Sequence, residues 1–380
     1  MSVYKRKWKA PNGQVKEAWV HEYKVSGKRH IKTFATRKEA VAFRNKVGTE
    51  IAEGIHIADS ASVTINAAAE IWLRAVTVGR KDNGPAEYST LRQYRSHLKH
   101  HILPVMGDKK LTQLTRADVA AFRDHLLTKL SRAMAKKVLA SFKSILSEAE
   151  SRGLVAANVA ASSTIGNSGR HKVPVVIPTK AEIKAILTKL DELATNKRWR
   201  RLRVLFAVAI HTGFRASEIR GLPWDAVDLK AGTVTVKQRA DERGAIGSPK
   251  SSAAKRTVII PDSLVTLLRN WKIECGPSQL VFPTSLGNVQ SNTDIHRSGW
   301  RPLQIAARVT RADGSPRLNF HCLRHYHASR LIEDGANPKE IQAEMGHANI
   351  QMTFNQYGHL FKDEDADSRR RERAERLARF

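Results

Sequence analysis

The stretch FHCLRHYHASRLIEDGANPKEIQAEMGHANIQMTFNQYGH, residues 320–359, decides how this chain of 380 residues is interpreted. It holds His321, Arg324, His347 and Tyr357 in that order. His321 and Arg324 are three residues apart, so they share one face of a helix. A lone Arg, His or Tyr is usually structural or decorates the surface, but this ordered combination indicates a reactive site.

A second stretch, TGFRASEIRGL at residues 212–222, adds another candidate arginine. Arg215 follows a predicted helix end, so its side chain emerges at a helix junction. Two guanidinium forks suit the non-bridging oxygens of a phosphodiester under attack. Tyr357 can attack the phosphorus in line and become a phosphotyrosine. Tyr326 is a rival nucleophile, but we expect it to lie within the buried helix that holds Arg324, so Tyr357 is preferred.

Other familiar chemistries lack their residues. His321 and His325 are spaced as in a helical zinc site, but that motif needs Glu at its second position, where Cys322 stands. The chain has only two cysteines, which excludes a disulfide framework or a Cys-rich zinc module. Neither GxxxxGK[ST] nor GxGxxG is present, and no acidic cluster suggests a two-metal nuclease.

The charge balance predicts a nucleic-acid partner. Lys and Arg number 65 against 36 Asp and Glu, a formal net charge of +29. So large an excess of positive charge on a chain with 41% hydrophobic residues points to a folded protein that binds a polyanion. The longest apolar run, residues 204–210, is far short of a membrane span, so we expect no membrane partner.

Residues 1–57 read as a small unit of about three antiparallel strands and one helix, which a capping box begins at Thr36 and Glu39. They hold 13 Lys and Arg against 5 Asp and Glu, a local charge of +8. Such a sheet could lie in a DNA groove. The alternative is a solvated basic surface on a small fold.

Residues 63–160 read as four short helices. The second begins at Ser89 and is expected to stop before Pro104. Thr115 with Asp118 begins the third helix, and Ser131 begins the fourth. Arg and Lys on their outer faces suggest a second DNA-binding module, although a plain helical bundle would show the same pattern.

Residues 161–178 are rich in Ser, Gly and Pro and look like a linker. A third unit, residues 179–365, opens with a capping box at Thr179 and Glu182 and mixes helices with strand patterns at 233–237 and 256–260. Residues 366–380 form a mixed-charge tail that we expect to be helical. The fold class predicted is therefore multidomain α+β and mainly helical, with a small three-stranded sheet at the N-terminus and another small antiparallel sheet in the third unit.

The residues quoted above resemble the tyrosine recombinases, in particular the integrases of temperate phages and integrative elements. The family has an Arg in a TGxR context, a Lys on a β-hairpin, HxxR, then LGH and a Tyr ten residues on. This chain matches that pattern at residues spread over its third unit: Arg215, Lys250, His321, Arg324, His347 and Tyr357. Met345 replaces the usual Leu before Gly–His, a volume-conserving exchange that we expect to be neutral. SPKSSAAKR offers Lys255 as an alternative to Lys250.

The resemblance implies roles for these residues. Arg215 and Arg324 clamp the phosphate, His321 accepts or relays the tyrosine proton, and Lys250 protonates the departing 5′-oxygen. His347 hydrogen-bonds the phosphate or holds the site in register. A covalent phosphotyrosine conserves the energy of the phosphodiester, so neither ATP, a metal ion nor another cofactor is expected.

The same resemblance implies a domain plan and partners. Residues 1–57 look like an arm-type DNA-binding domain, 63–160 like a core-binding domain and 179–365 like the catalytic domain. The expected partners are double-stranded attachment sites, further copies in a homotetramer on DNA, and a DNA-bending host factor and an excisionase, in the cytoplasm of a bacterial host. The alternatives are a dimer-resolving recombinase and a non-catalytic DNA-binding regulator on the same scaffold.

Overall fold

The chain folds as two compact units, Met1–Lys172 and Val173–Phe380, in a computed structural model. The structure describes residues 2–25, 27–80, 84–166, 175–249, 251–361 and 366–378. Both units mix strands with a majority of helix, which confirms the predicted fold class. None of the helices in these ranges combines the length and the apolarity that a bilayer crossing requires.

The first unit begins with an antiparallel sheet in the order β1-β2-β3. Its strands are β1 (Ser2–Lys9), β2 (Val15–Val25) and β3 (Lys28–Phe34), and helix α1 (Arg37–Ala52) follows them. The capping box predicted at Thr36 and Glu39 is present. Phe43 of α1 contacts the rings of His21, Tyr23 and Phe34, so the helix covers one face of the sheet.

The opposite face of this sheet is largely exposed and mostly basic, although Val20 at its centre is buried. Successive side chains of a strand alternate between the two faces, and the strand register carries the alternation from one strand to the next. We call this surface the outer sheet face; its exposed members are Ser2, Tyr4, Arg6, Trp8, Lys16, Lys24, Arg29, Ile31 and Thr33.

The rest of the first unit is helical. Its helices are α2 (Ile65–Val78), α3 (Tyr88–His97), α4 (Leu103–Met106), α5 (Arg116–Lys129) and α6 (Arg132–Ser151). They enclose an apolar core around Trp72, which is fully buried and donates its indole N–H to Ser144 Oγ at 3.0 Å. The N-caps predicted at Thr115 and Ser131 are present.

The prediction that the second helix of this unit stops before Pro104 is wrong. The chain passes from α3 through a π-helical turn, Leu98–Ile102, directly into α4. Pro104 lies in the first turn of α4, directly after the π-helical turn, so the proline does not end the helical path. In the π turn each backbone hydrogen bond spans one residue more than in an α-helix, so the turn accommodates one extra residue between α3 and α4.

The second unit holds most of the remaining elements. Its strands are β4 (Val227–Asp228), β5 (Thr233–Thr235), β6 (Arg239–Ala240), β7 (Ile246–Gly247) and β8 (Thr257–Ile259). Its helices are α7 (Lys180–Leu193), α8 (Lys197–Thr212), α9 (Ala216–Arg220), α10 (Asp262–Cys275), α11 (Asn292–Ile295), α12 (Arg301–Ala306), α13 (Cys322–Glu333), α14 (Pro338–Met345), α15 (Ile350–Tyr357) and α16 (Ala366–Leu377). Strands β4-β5-β8 form one antiparallel sheet and β6-β7 a hairpin, so both predicted strand patterns are confirmed.

Helix α8 is the central element of this unit. All seven residues of its apolar run, 204–210, are buried. Phe206 packs against the fully buried Trp300 with ring centroids 5.3 Å apart, and Trp300 donates its indole N–H to Leu318 O at 3.0 Å. A helix that is apolar on every side must be enclosed on every side. The C-terminal end of α8 is thereby held at a fixed place inside the unit.

Gly213 ends helix α8 in the left-handed conformation, with φ of 60°. A Cβ at this position would lie 2.7 Å from Cδ2 of His327, closer than real atoms approach. Gly335 is also left-handed, with φ of 87°, but a Cβ there would meet open space. The two glycines therefore separate the effect of backbone strain from that of a clash.

We expect Gly213→Ala to destabilise the second unit by about 2–4 kcal/mol, because about 1 kcal/mol of left-handed strain adds to overpacking. Gly335→Ala, the matched control, should cost only the strain, about 1 kcal/mol. Thermal unfolding of the full chain measures the difference as a larger fall in Tm for the first variant. Equal falls would mean that His327 moves aside at no cost.

Candidate active site

Arg215 lies where α8 gives way to α9. It is the residue that precedes α9, and its backbone N–H donates to Glu218 Oε2 at 2.9 Å. Its guanidinium donates to Glu218 Oε1 at 2.8 Å and to Gly346 O at 3.4 Å. One third of the Arg215 side chain remains exposed. The helix junction predicted from TGFRASEIRGL is present, and it leaves this arginine accessible to a ligand.

Glu218 is a buried carboxylate shared by two arginines. Arg256, which is also buried, donates to Glu218 Oε2 at 3.0 Å and to Glu344 O at 2.6 Å, and its guanidinium lies 4.8 Å from the ring centre of Phe214. Burial alone would raise the pKa of Glu218, but the charges of Arg256 and Arg215 and their hydrogen bonds bring it below its usual value. Glu218 is therefore ionised at neutral pH and neutralises part of the local positive charge.

Arg324 is buried, with 3% of its surface exposed. Its Nη1 donates to Gly213 O at 2.6 Å, and its Nη2 donates to Met345 O. Burial, and then the positive charges of Arg215 and Arg256, lower the pKa of Arg324 to about 9, so the guanidinium stays charged at neutral pH. Its two hydrogen bonds join the end of α8 to the end of α14, which are far apart in sequence.

Tyr357 is the last residue of α15 and is fully buried. Burial raises the pKa of its phenol to about 12, against the opposing charges of Arg324 and Arg215. The phenol is therefore protonated at neutral pH. Its Oη lies 2.8 Å from Nδ1 of His325, a residue that the sequence analysis considered only as a zinc ligand.

His347 lies in the turn between α14 and α15. Its ring stacks on that of Tyr357, with centroids 6.4 Å apart and an interplanar angle of 15°, and its Nδ1 lies 2.9 Å from Thr353 Oγ1. Burial, and then the charges of Arg324, Arg215 and Arg256, lower the pKa of His347 to about 4. The imidazole is thus neutral at pH 7 and braces the tyrosine.

His321 immediately precedes α13 and is exposed. Its ring packs edge-on against that of His325, with centroids 4.8 Å apart. Partial desolvation, followed by the charges of Arg324 and Arg215, lowers the pKa of His321. The structure therefore places His325, and not His321, within hydrogen-bond distance of the Tyr357 phenol.

The predicted set includes one lysine, either Lys250 or Lys255. Lys250 lies outside the described residues. Lys255 follows a 3-10 turn, Ser252–Ala254, just before strand β8 and is exposed. The choice between the two lysines therefore stays a prediction. Tyr326 is half-buried on α13, where it packs against the larger core of the unit.

The described members of the predicted set come together at the ends of α8, α14 and α15 and the start of α13: Arg215, His321, Arg324, His347 and Tyr357. Sequence reasoning missed the residues that support them: Glu218, Arg256, His325 and Thr353. Glu218 had a signal, because it follows Arg215 by three residues on a predicted helix. His325 had one too, four residues after His321.

Comparisons with known proteins point to one family. The family described as "Phage integrase family" matches residues 178–364, and the one described as "Phage integrase, N-terminal SAM-like domain" matches residues 85–127. A tyrosine recombinase XerC-like protein of Caldanaerobacter subterraneus subsp. tengcongensis is 28% identical over 357 residues, 86% of each chain. The ICEBs1 integrase of Bacillus subtilis is 24% identical and covers 88% of this chain and 89% of its own length.

Solved structures share the fold. A Tn1549 transposon integrase in complex with transposon right end DNA superposes with a TM-score of 0.65 at 19% identity, over 83% of this chain and all of that one. A lambda integrase tetramer bound to a Holliday junction gives 0.58 at 18% identity, over 90% of this chain and 95% of that one. The two family matches, together with the tyrosine recombinase similar over 86% of the chain, show that the chain belongs to the phage integrase family of tyrosine recombinases.

Proposed function

We propose that this protein is a site-specific DNA recombinase of the integrase type, which cleaves and rejoins DNA through a 3′-phosphotyrosine to integrate and excise a mobile element. The observation that carries the proposal is one buried cluster in which a tyrosine lies beside two arginines. Arg324 and Arg215 donate to the carbonyls of Met345 and Gly346, the two residues before His347, and the ring of His347 stacks on that of Tyr357. That arrangement suits attack on a phosphodiester.

The proposed reaction follows from these positions. Arg215 and Arg324 donate to the non-bridging oxygens, where negative charge grows in the transition state. The Tyr357 oxygen attacks phosphorus and forms the phosphotyrosine bond as the bond to the 5′-oxygen breaks, and Lys250 protonates that leaving oxygen. Attack by a 5′-hydroxyl on the phosphotyrosine reverses these steps, and no external energy is consumed.

The buried state of Tyr357 implies a rearrangement before cleavage. Tyr357 is fully buried, and Arg324 and His347 are each only 3% exposed. A DNA phosphate can reach the phenol only after the residues around it move. Tyr357 and His325 lie on α15 and α13, so an opening that moves only the residues around this pair leaves their hydrogen bond in place. DNA binding is the event that would supply the energy for this opening.

DNA is the substrate that the charge supports, because an excess of 29 positive charges needs a polyanion. We assign core-site binding to residues 63–160 and 179–365, and arm-site binding to residues 1–57 through the outer sheet face. This face combines exposed aromatic and basic side chains on a three-stranded sheet, and the major groove admits a sheet element. Residues 161–178 are the proposed linker and 366–380 the proposed tail.

The assembly that this function needs is a homotetramer on paired attachment sites, with a DNA-bending host factor and an excisionase as accessory partners in a bacterial cytoplasm. The outer sheet face favours an integrase over a dimer-resolving recombinase, because such resolvases resemble only the last two predicted domains. A regulator without chemistry would have no need of the hydrogen-bonded tyrosine and the buried guanidinium beside it.

We expect Tyr357→Phe to bind DNA as tightly as the wild type and to form no covalent adduct, because the substitution removes only the attacking oxygen. The measurement is adduct formation on a nicked suicide duplex, read by denaturing gel, beside binding by mobility shift. Tyr326→Phe is the matched control and should form the normal amount of adduct. Normal yield from Tyr357→Phe would refute the proposed nucleophile.

Arg6→Ala with Lys24→Ala on the outer sheet face should weaken binding to an arm-site duplex by at least about tenfold, because each loses a contact with DNA. The slope of the logarithm of the binding constant against the logarithm of salt concentration should also become shallower by about one per lost phosphate contact. Core-site cleavage should stay unchanged. Lys38→Ala, an exposed lysine on α1 behind the sheet, is the control. If Lys38→Ala weakens arm-site binding as much as the double variant does, the outer sheet face is only a solvated basic surface.

A further inference from the structure

His325 is a buried imidazole in direct contact with the attacking group. It lies in the first turn of α13 and is 7% exposed. Its Nδ1 is 2.8 Å from the Tyr357 oxygen, with ring centroids 5.8 Å apart at 63°. This separation is that of a hydrogen bond between a hydroxyl and a ring nitrogen. The residue falls outside the six positions predicted from the sequence.

The direction of this hydrogen bond follows from the protonation of its two members. Burial raises the pKa of Tyr357 to about 12, so the phenol keeps its proton at pH 7. Burial, and then the nearby His321 and Arg324, lower the pKa of His325 to about 4, so its imidazole is neutral. The phenol therefore donates, and Nδ1 accepts with its lone pair.

The charged and titratable groups around His325 come from four segments. Arg324 lies on α13, the helix of His325 itself, and His321 immediately precedes that helix. The others are Arg215 after α8, His347 before α15 and Tyr357 at the end of α15. Of these, Arg324 is the permanent cation that disfavours a proton on the imidazole of His325. A phosphodiester bound to the two arginines would add a negative charge at the same place and make His325 more basic. Substrate binding thus raises its power to accept a proton.

We propose that His325 is the proton acceptor for Tyr357 and so a further catalytic residue, an inference that rests on the proposed function. As the bond from the Tyr357 oxygen to phosphorus forms and the bond to the 5′-oxygen breaks, the phenol proton moves to Nδ1. The 5′-oxygen takes its proton from a separate acid, the proposed lysine. In religation Nδ1 returns its proton to the tyrosine oxygen. His321, exposed and edge-on to His325, exchanges protons with solvent.

His325→Asn is the discriminating variant. The amide oxygen of Asn can accept the phenol hydrogen bond near the former place of Nδ1 but is not basic at any working pH. We expect single-turnover cleavage of the nicked duplex to fall at least about 100-fold at pH 7, with DNA binding unchanged. His359→Asn, an exposed histidine two residues beyond the tyrosine, is the matched control and should cleave within about twofold of the wild type.

The pH dependence separates proton transfer from mere positioning. The loss in His325→Asn should shrink about tenfold per pH unit as hydroxide replaces the missing base, while the wild-type rate stays level. A fluorinated tyrosine at position 357, whose phenol is more acidic, should restore the variant more than it accelerates the wild type. Cleavage within about threefold of the wild type, or a loss that neither pH nor fluorination changes, would overturn the proposal.

A measurement that leaves His325 in place covers the case in which His325→Asn fails to fold. Ring ¹⁵N spectra of the histidines should show one imidazole with an unprotonated, hydrogen-bonded Nδ1 that shifts in Tyr357→Phe. A protonated Nδ1 on that ring would contradict the proposal. The two claims fail separately. Absence of any adduct at Tyr357 in the wild type defeats the proposed function, whereas a normal adduct together with full-rate His325→Asn defeats only the role of His325.

Discussion

The positive charge of Arg324, held out of water, is the constraint on which the second unit depends. A buried guanidinium is costly unless its N–H groups find acceptors. Here the acceptors are the carbonyls of Gly213 and Met345, at the ends of two different helices. Because neither acceptor is adjustable without moving a helix, satisfying this one side chain fixes how α8, α13 and α14 meet. The buried apolar run of α8 and the left-handed turn at Gly213 hold the Gly213 carbonyl where it accepts the hydrogen bond from Arg324.

The same burial sorts the ionisable groups into charged and neutral sets. The arginines keep their charge because even a pKa of about 9 leaves the guanidinium protonated at pH 7. The tyrosine and the histidines around it are held neutral, since desolvation raises the pKa of the phenol and lowers those of His325 and His347. The carboxylate of Glu218 offsets part of the positive charge. The cluster therefore retains a net attraction for one anionic group, and its proton donors and acceptors are in the states that nucleophilic attack requires.

Local signals in the sequence predicted much of this arrangement. Capping boxes at Thr36, Thr115 and Thr179 marked helix starts that the structure confirms, because an N-cap depends on residues three positions apart. The helix end predicted before Pro104 was wrong, because the helical path continues through a π turn into α4. That π turn has no clear sequence signature. The order Arg215, His321, Arg324, His347 and Tyr357 was enough to indicate a common site.

Which side chains contact one another within the site could not be predicted from the sequence. His321 and His325 are one helical turn apart, so the spacing puts both on the same face and cannot say which one meets the tyrosine. That contact is decided by how α15 packs against α13, a tertiary property. The burial of Arg256 could not be predicted from the sequence either, because its partners, the Glu218 carboxylate and the Glu344 carbonyl, are brought together only by the fold.

The identity of the tyrosine that becomes bonded to DNA tests the central claim most directly. The adduct trapped on a nicked duplex can be digested with nuclease and trypsin and its peptides weighed, and cleavage after Arg330 and Lys339 separates the two candidate tyrosines. The account predicts a residual nucleotide on the peptide that contains Tyr357 and none on the peptide that contains Tyr326. A nucleotide on the Tyr326 peptide, or no nucleotide on any tyrosine, would contradict it.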